Sequence, residues 1–168
     1  MRPLVSFLSI ALLSACAMGD ELGPIEGPSA ALVNSSGGTT GAVQAEARAG
    51  GTYLRIAVQG LAPGDHGLHL HAVGRCDPPG FQGAGAHWNP AGRQHGHLNP
   101  AGAHLGDLPN LTVSANGRGA INFMVAGQLA DADGTSLVVH AKPDDYKTDP
   151  SGNSGDRIAC AVLAPARP

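Results

Sequence analysis

The sequence predicts an all-β fold, a sandwich or flattened barrel of about eight strands. Three observations carry that expectation. Short runs of alternating polarity recur along the chain. Glycine and proline, 25 and 13 of 168 residues, punctuate those runs at short intervals. No stretch of the domain holds the apolar period of a helix. Leu32-Val33 opens the series. Gly41 to Arg48 and Thr52 to Gln59 are its longest members, joined by a hairpin turn at Ala49-Gly50-Gly51. Within the second run Leu54, Ile56 and Val58 fall on one face, with Tyr53, Arg55 and Ala57 opposite. Gly67 to Ala72, Leu111 to Val113, Ile121 to Val125, Ser136 to Ala141 and Ala159 to Leu163 complete the strands, and Asn116-Gly117 is the strongest turn signal. Two stretches break this rhythm. Gly74 to Pro109 is rich in Gly, Pro and His without alternation, and Lys142 to Asp156 is polar and turn-rich. Loops this long inside a compact domain are usually functional or disordered, and the residues they carry favour function.

The first residues are not part of the fold. Met1-Arg2-Pro3 is a basic opening, and Leu4 to Leu13 is an apolar run too short to span a bilayer. Leu13-Ser14-Ala15-Cys16 resembles the lipobox of bacterial lipoproteins, in which the cysteine is lipidated and becomes the new N-terminus. An ordinary secretion signal cleaved near Ala15 or Ala17 is the alternative. Either way the protein is expected in the periplasm or cell envelope, and the lipobox would anchor it to a membrane. The expected organisation is a signal at 1–15, a flexible tether at 16–28 and one domain at 29–168.

Composition excludes some function classes. The net charge is −3, aromatics are 4% of residues, and no basic patch is present, which argues against nucleic-acid binding. Removing residues 1–15 loses Arg2 alone, so the charge goes from −3 to −4. With Cys16 assigned to the signal, Cys76 and Cys160 remain, an even pair in an oxidising compartment. A bridge between them would close most of the domain into one loop, worth about 4–5 kcal/mol on the chain-entropy model.

The chemistry lies in the histidines. On a strand, His69 and His71 share one face, with Leu68 and Leu70 on the other, so the pair is either a two-point ligand or merely a polar face. His87, His95, His104 and Asp107 lie in the long loop, and three imidazoles with a carboxylate match a closed tetrahedral zinc site. His140, where a strand gives way to a loop, is placed to join His69 and His71. An all-imidazole set suits Cu(II), which needs a fourth nitrogen that spacing alone does not assign. These seven residues are too many for one ion, so two metals are expected.

Six blocks in order, Gly67-Leu-His-Leu-His-Ala-Val-Gly74, Gly85-Ala-His-Trp-Asn-Pro90, Arg93-Gln-His-Gly96, His104-Leu-Gly-Asp-Leu108, Val138-Val-His-Ala-Lys-Pro-Asp-Asp145 and Gly152-Asn-Ser-Gly-Asp-Arg-Ile-Ala-Cys160, resemble copper–zinc superoxide dismutase. The resemblance runs from about Ser29 to Leu163. It implies a Greek-key β-sandwich of antiparallel strands, the fold of this family. It also implies one copper and one zinc per subunit. His69, His71, His87 and His140 would bind copper, and His87, His95, His104 and Asp107 would bind zinc, with His87 shared. Asp144 would link His69 to His95, Arg157 would guide the anion, and Cys76 and Cys160 would bond to hold the first loop near Arg157. The implied reaction is disproportionation of superoxide to dioxygen and hydrogen peroxide, protecting the cell envelope. Positive charge from the two ions and Arg157 in an otherwise acidic protein would draw in the substrate, a focusing effect for which this enzyme is a standing example.

Of the remaining histidines, His66 reads as a hydrogen-bonded strand residue and His97 as an exposed loop residue, while Trp88 reads as packing beside His87. The segment from His140 to Arg157 is shorter than in animal members and lacks their acidic-and-lysine cluster. Lys147 is the nearest substitute, among Asp144, Asp145, Asp149 and Asp156. A homodimer is a further expectation. The competing class is a metal store or copper-delivery domain, which would commonly lack a copper ligand or the arginine, and both are present here. A purely structural zinc protein would leave His69, His71 and His140 unexplained.

Overall fold

The computed structural model describes residues 29–129 and 132–165, with Ile25 and Gly27. The expected signal, Cys16 and most of the tether lie outside the described residues. Nine strands form among the described residues: β1 (Ala30–Asn34), β2 (Thr39–Arg48), β3 (Gly51–Gln59), β4 (Gly64–His66), β5 (Leu68–His71), β6 (Leu111–Val113), β7 (Arg118–Ala126), β8 (Thr135–His140) and β9 (Arg157–Ala164). Every expected strand is present within a few residues of its expected bounds. The additional one, β4, is three residues long and carries no alternation that would mark it.

Seven strands make one curled antiparallel sheet in the order β5-β8-β9-β1-β2-β3-β7, and β4 pairs with β6 in a small second sheet. After β3 the chain leaves through β4, β5 and β6, then returns to pair β7 along the whole of β3, from Gly51↔Ala126 to Gln59↔Arg118. This over-and-back path is the Greek-key connection. Alternation decides which residues face inward. Leu54, Ile56 and Val58 of β3 are buried, while Tyr53, Arg55 and Ala57 are partly exposed on the other side. They join Leu32, Val43, Leu68, Leu70, Leu111, Leu137 and Val139 in the main core.

In β5 and β8 every residue is buried, and that requires cover on both faces. Leu68, Leu70, Leu137 and Val139 face the core. His69, His71, Val138 and His140 alternate with them and face the opposite way, under the two long loops. The first loop also satisfies the open edge of β5. Leu70 N donates to Gly106 O at 2.9 Å, Trp88 N to Leu70 O at 2.8 Å, and Leu108 N to Leu68 O at 3.2 Å. An edge strand capped in this way cannot recruit a foreign strand.

Cys76 and Cys160 form a disulfide across 84 residues of sequence, with Cα atoms 5.6 Å apart. Around it Phe81, Ala84, Val138 and Cys160 make a second, smaller core. Phe81 takes a left-handed backbone (φ 53°) and leads into a 3-10 turn over Gln82–Ala84. The loop that carries His87 is thus held at its start by a covalent bond and a buried phenyl ring.

Candidate metal centre

All seven sequence-predicted ligand residues come together on the outer face of the β5–β8 pair. His69, His71 and His140 project from it by the alternation just described. His87 is brought beside His71 by a bridge between their backbones, and Asp107 beside His69 by another. Ligand-type atoms of His69, His71, His87 and His140 lie within 4.8 Å of one another, all in buried residues. A second set meeting the same limit is His69, His87, His95 and Asp107. His104 stands at its rim, with Nδ1 3.0 Å from Asp107 Oδ1 and 3.4 Å from His87 Nδ1.

The hydrogen bonds decide which nitrogen of each ring is free. Carbonyl and carboxylate oxygens only accept, so a ring nitrogen bonded to one must carry the proton. His69 Nε2 donates to Asp144 Oδ2 (2.8 Å), His71 Nδ1 to Gly85 O (2.9 Å), His95 Nε2 to Asp144 Oδ1 (3.0 Å) and His140 Nδ1 to Gly155 O (3.1 Å). The opposite nitrogens, His69 Nδ1, His71 Nε2, His95 Nδ1 and His140 Nε2, are buried with no hydrogen-bond partner. An unmatched buried polar atom costs about 1–3 kcal/mol, and four across two adjoining sets need an explanation. The nitrogens of His69, His71 and His140 belong to the first set, where their lone pairs fit a cation, and His95 Nδ1 belongs to the second. His69 falls in both sets, and with Asp144 on its Nε2 it has only Nδ1 to offer.

At the other end, Nδ1 of His87, His95 and His104 lie 3.0, 2.9 and 3.0 Å from the single oxygen Asp107 Oδ1. The His95 approach has the distance but not the alignment of a hydrogen bond, since that nitrogen remains unpartnered. Zinc with ligands at about 2.0–2.1 Å separates neighbouring donor atoms by about 3.3 Å in a tetrahedron, so these separations suit four donors around one small ion. Asp107 Oδ2 meanwhile accepts from Gly96 N (2.8 Å) and His104 N (3.0 Å), which fixes the carboxylate.

Electrostatics points the same way. Burial keeps His69, His71 and His140 neutral, lowering the second to about 2 and the third to about 3, and it lowers His87 to about 4. Neutral imidazole is the ligating form. Burial alone would raise Asp107 and Asp144, but the hydrogen bond from His87 and the close His95 ring at the first, and hydrogen bonds from His69 and His95 to the second, hold both well below the carboxylate range. Burial opposes charge on His95 too, yet its bond to Asp144 and the Asp107 carboxylate 2.9 Å from its Nδ1 win and raise it to about 9. Two buried carboxylates thus draw a proton onto the ring between them, where a metal ion would supply the missing positive charge. The residues present fit two cations.

Match to known families agrees with this geometry. Residues 38–163 match the family model of copper/zinc superoxide dismutase. The chain belongs to the copper/zinc superoxide dismutase family. It is 42% identical over 138 residues to a superoxide dismutase [Cu-Zn] of Caulobacter vibrioides, covering 76% of this chain and 79% of that one. To superoxide dismutase [Cu-Zn] 2 of Aquifex aeolicus it is 38% identical over 144 residues, 80% and 84% of the two chains. A crystal structure of a superoxide dismutase-like protein from Bacillus subtilis superposes with a TM-score of 0.77 at 37% identity, over 82% of this chain and 99% of that one.

In this family member Arg157 lies beside the first ligand set. Its Nη1 donates to Phe81 O (2.8 Å) and its Nη2 to Gly85 O (2.7 Å), the carbonyl that also holds His71. His66 bonds Ala62 O and His140 O, and Trp88 packs in the main core, both as expected. His97 is exposed, though its ring packs at a tilt against that of Tyr146 with centroids 4.2 Å apart. Lys147 is exposed, its main chain fixed by Asp145. The stem of Lys142 packs over Gly155, next to the carbonyl that orients His140. Sequence reading passed over Lys142, Asn110, Tyr146 and Gly152. A side chain at Gly152 would overlap Asp144 Oδ1 and His95 Nε2, so the site is closed from that side by the absence of one.

Proposed function

We propose that this chain disproportionates superoxide, two anions and two protons giving one dioxygen and one hydrogen peroxide. In this reading His69, His71, His87 and His140 hold copper, while His87, His95, His104 and Asp107 hold zinc. The observation that carries it is the set of buried imidazole nitrogens left unpartnered around one space, adjoining an Asp107 cluster through the shared His87. When bound, copper supplies a one-electron couple and zinc supplies fixed charge.

The protein's own groups do the rest. His87 offers a nitrogen to each set, holding them at a fixed separation. Its Nδ1 meets Asp107 Oδ1, so Nε2 would be the ring position left to hold one of the two protons that the product peroxide takes up, and solvent would provide the other. Asp144 fixes the tautomers of His69 and His95 together, as carboxylates behind metal ligands generally do. Two N–H groups of Arg157 are spent on carbonyls, and its remaining donors face an incoming anion with charge. Burial of the ligand rings strengthens each of these interactions.

The test is stopped-flow decay of superoxide by the protein stripped of metal and then reloaded with copper and zinc. Fast decay that depends on copper is expected. Tight stoichiometric metal binding without decay would instead mean a metal carrier on an enzyme's framework.

The sequence around Cys16 supports export and a lipid anchor at the cell envelope, and the Cys76–Cys160 bridge suits an oxidising compartment. There the enzyme would protect the envelope from superoxide. Labelled palmitate should enter the wild-type chain and not Cys16→Ser; equal labelling would refute the anchor. A homodimer is the proposed assembly, which sedimentation of the purified protein would check.

A further inference from the structure

Behind the two ligand sets lies a group of residues that the reaction itself does not use. Asp144, which bonds His69 and His95, is held from three directions. The side-chain amide of Asn110 takes both ends of its main chain: Asp144 N donates to Asn110 Oδ1 (2.8 Å), and Asn110 Nδ2 donates to Asp144 O (3.0 Å). The main-chain N of Tyr146 donates to Asp144 Oδ1 (2.7 Å), the same oxygen that serves His95. Asn110 is fixed in turn, because its own main-chain N donates to the phenol oxygen of Tyr146 at 2.6 Å.

Tyr146 has a left-handed backbone, φ 59°, a conformation that costs a residue with a side chain about 1–3 kcal/mol unless its surroundings hold it. Here they do. Its carbonyl accepts from Leu98 N (2.9 Å), its ring lies on His97, and its phenol meets Asn110. The zinc-side loop comes so close that a Cβ on Gly96 would overlap the Tyr146 carbonyl. One residue therefore ties together the loop bearing His95, the segment after Asp107 and the loop bearing Asp144.

We propose that Tyr146 is a positioning residue for the metal centre, acting with Asn110 to hold the Asp144 carboxylate at the angle that keeps His95 Nδ1 aimed at the zinc position. This inference rests on the reading of Asp144 and His95 given under the proposed function. It assigns a role to a phenol that touches neither ligand atoms nor substrate. The phenol acts through its bond to Asn110, and the backbone through its bond to Asp144. Tyr146→Phe removes the first and leaves the second.

The experiment is a double-mutant cycle on the full-length protein loaded with zinc alone. Zinc release to a chromophoric chelator is timed for the wild type, Tyr146→Phe, Asp144→Asn and the double variant, and the visible spectrum of cobalt at the zinc position is recorded for each. Groups behind the ligands typically change metal affinity by about 10–100-fold, and the indirect phenol belongs at the low end. Tyr146→Phe should release zinc about tenfold faster than wild type and shift the cobalt bands, with no further acceleration once Asp144 is already Asn. Release within twofold of wild type and an unchanged cobalt spectrum, alongside fast release from Asp144→Asn, would overturn the role of Tyr146 and leave that of Asp144 standing. Equal acceleration in both backgrounds would also overturn it, because the phenol would then be acting on the fold in general. Unchanged release from Asp144→Asn would bring down the underlying reading together with this one. Asn110→Ala provides a second probe of the same link and should match Tyr146→Phe in release and spectrum; a wild-type result there counts against the proposal.

Discussion

Replacing both bridge cysteines with alanine, Cys76→Ala with Cys160→Ala, separates what the disulfide does for stability from what it does for the site. The cysteines are 84 positions apart, and closing a loop of that length restricts the unfolded chain by about 4.6 kcal/mol at 25 °C on the chain-entropy model. Alanine keeps the Cβ atoms, and Phe81, Ala84 and Val138 remain available to pack, so little further loss is expected from the small core. Urea unfolding of the metal-loaded protein should therefore show a loss of about 4–5 kcal/mol, or roughly 10–20 °C in Tm. Turnover should fall as well, because Phe81 O and Gly85 O, the two carbonyls that hold Arg157, belong to the segment the bridge tethers. A stability loss below about 1 kcal/mol would refute the closure estimate. Full loss of stability with turnover intact would refute the claim that the bridge places Arg157.

Three other perturbations address the site directly. Arg157→Glu should slow superoxide decay about tenfold or more at low salt while both metals are retained by elemental analysis; unchanged decay at low salt would remove Arg157 from substrate attraction. Metal-free protein should lose stability as pH falls below about 6.5, since His71, His87 and His140 are kept neutral by burial, at about 2, 4 and 3, and the unfolded chain takes up protons the folded chain refuses. Each such group contributes a slope of about 1.4 kcal/mol per pH unit, whereas His95, raised to about 9, contributes stability that is complete below about 6.5 and lost as pH rises through 9. Urea midpoints measured across that range should peak near neutrality, and a flat acid limb would contradict the assignment. Gly152→Ala, at φ 64° and with its Cβ overlapping Asp144 and His95, should destabilise the fold by about 1–3 kcal/mol and weaken zinc retention; wild-type unfolding and zinc release would count against the close packing there.

Much of this molecule is legible in its residues, for reasons that differ by region. Alternation reveals β3 because one of its faces is buried and the other is partly wet, so Leu54, Ile56 and Val58 stand out against Tyr53 and Arg55. It reveals β5 and β8 less clearly, since both of their faces are covered, and the histidines rather than the pattern mark them. β4 is invisible, being three residues whose pairing to β6 depends on where the chain has already been placed. The ligand residues announce themselves by chemistry and order. What the sequence conceals is the support behind them. Asn110 acts with its side-chain amide on the main chain of Asp144, Tyr146 acts through a main-chain N–H and its phenol, and Phe81 contributes a carbonyl, which every residue has. Gly152 matters for a side chain it lacks.

Gly85 carries a last consequence. Its single carbonyl oxygen accepts from both His71 and Arg157, so the proposed metal ligand and the proposed anion-attracting cation hang from one mount. Any change that moves this carbonyl would therefore act on both groups at once. In the function proposed above, this shared bond would set the spacing of the copper position and the incoming anion. A glycine-rich loop, soft as a whole, can in this way serve an enzyme whose reactants must meet at a fixed spacing.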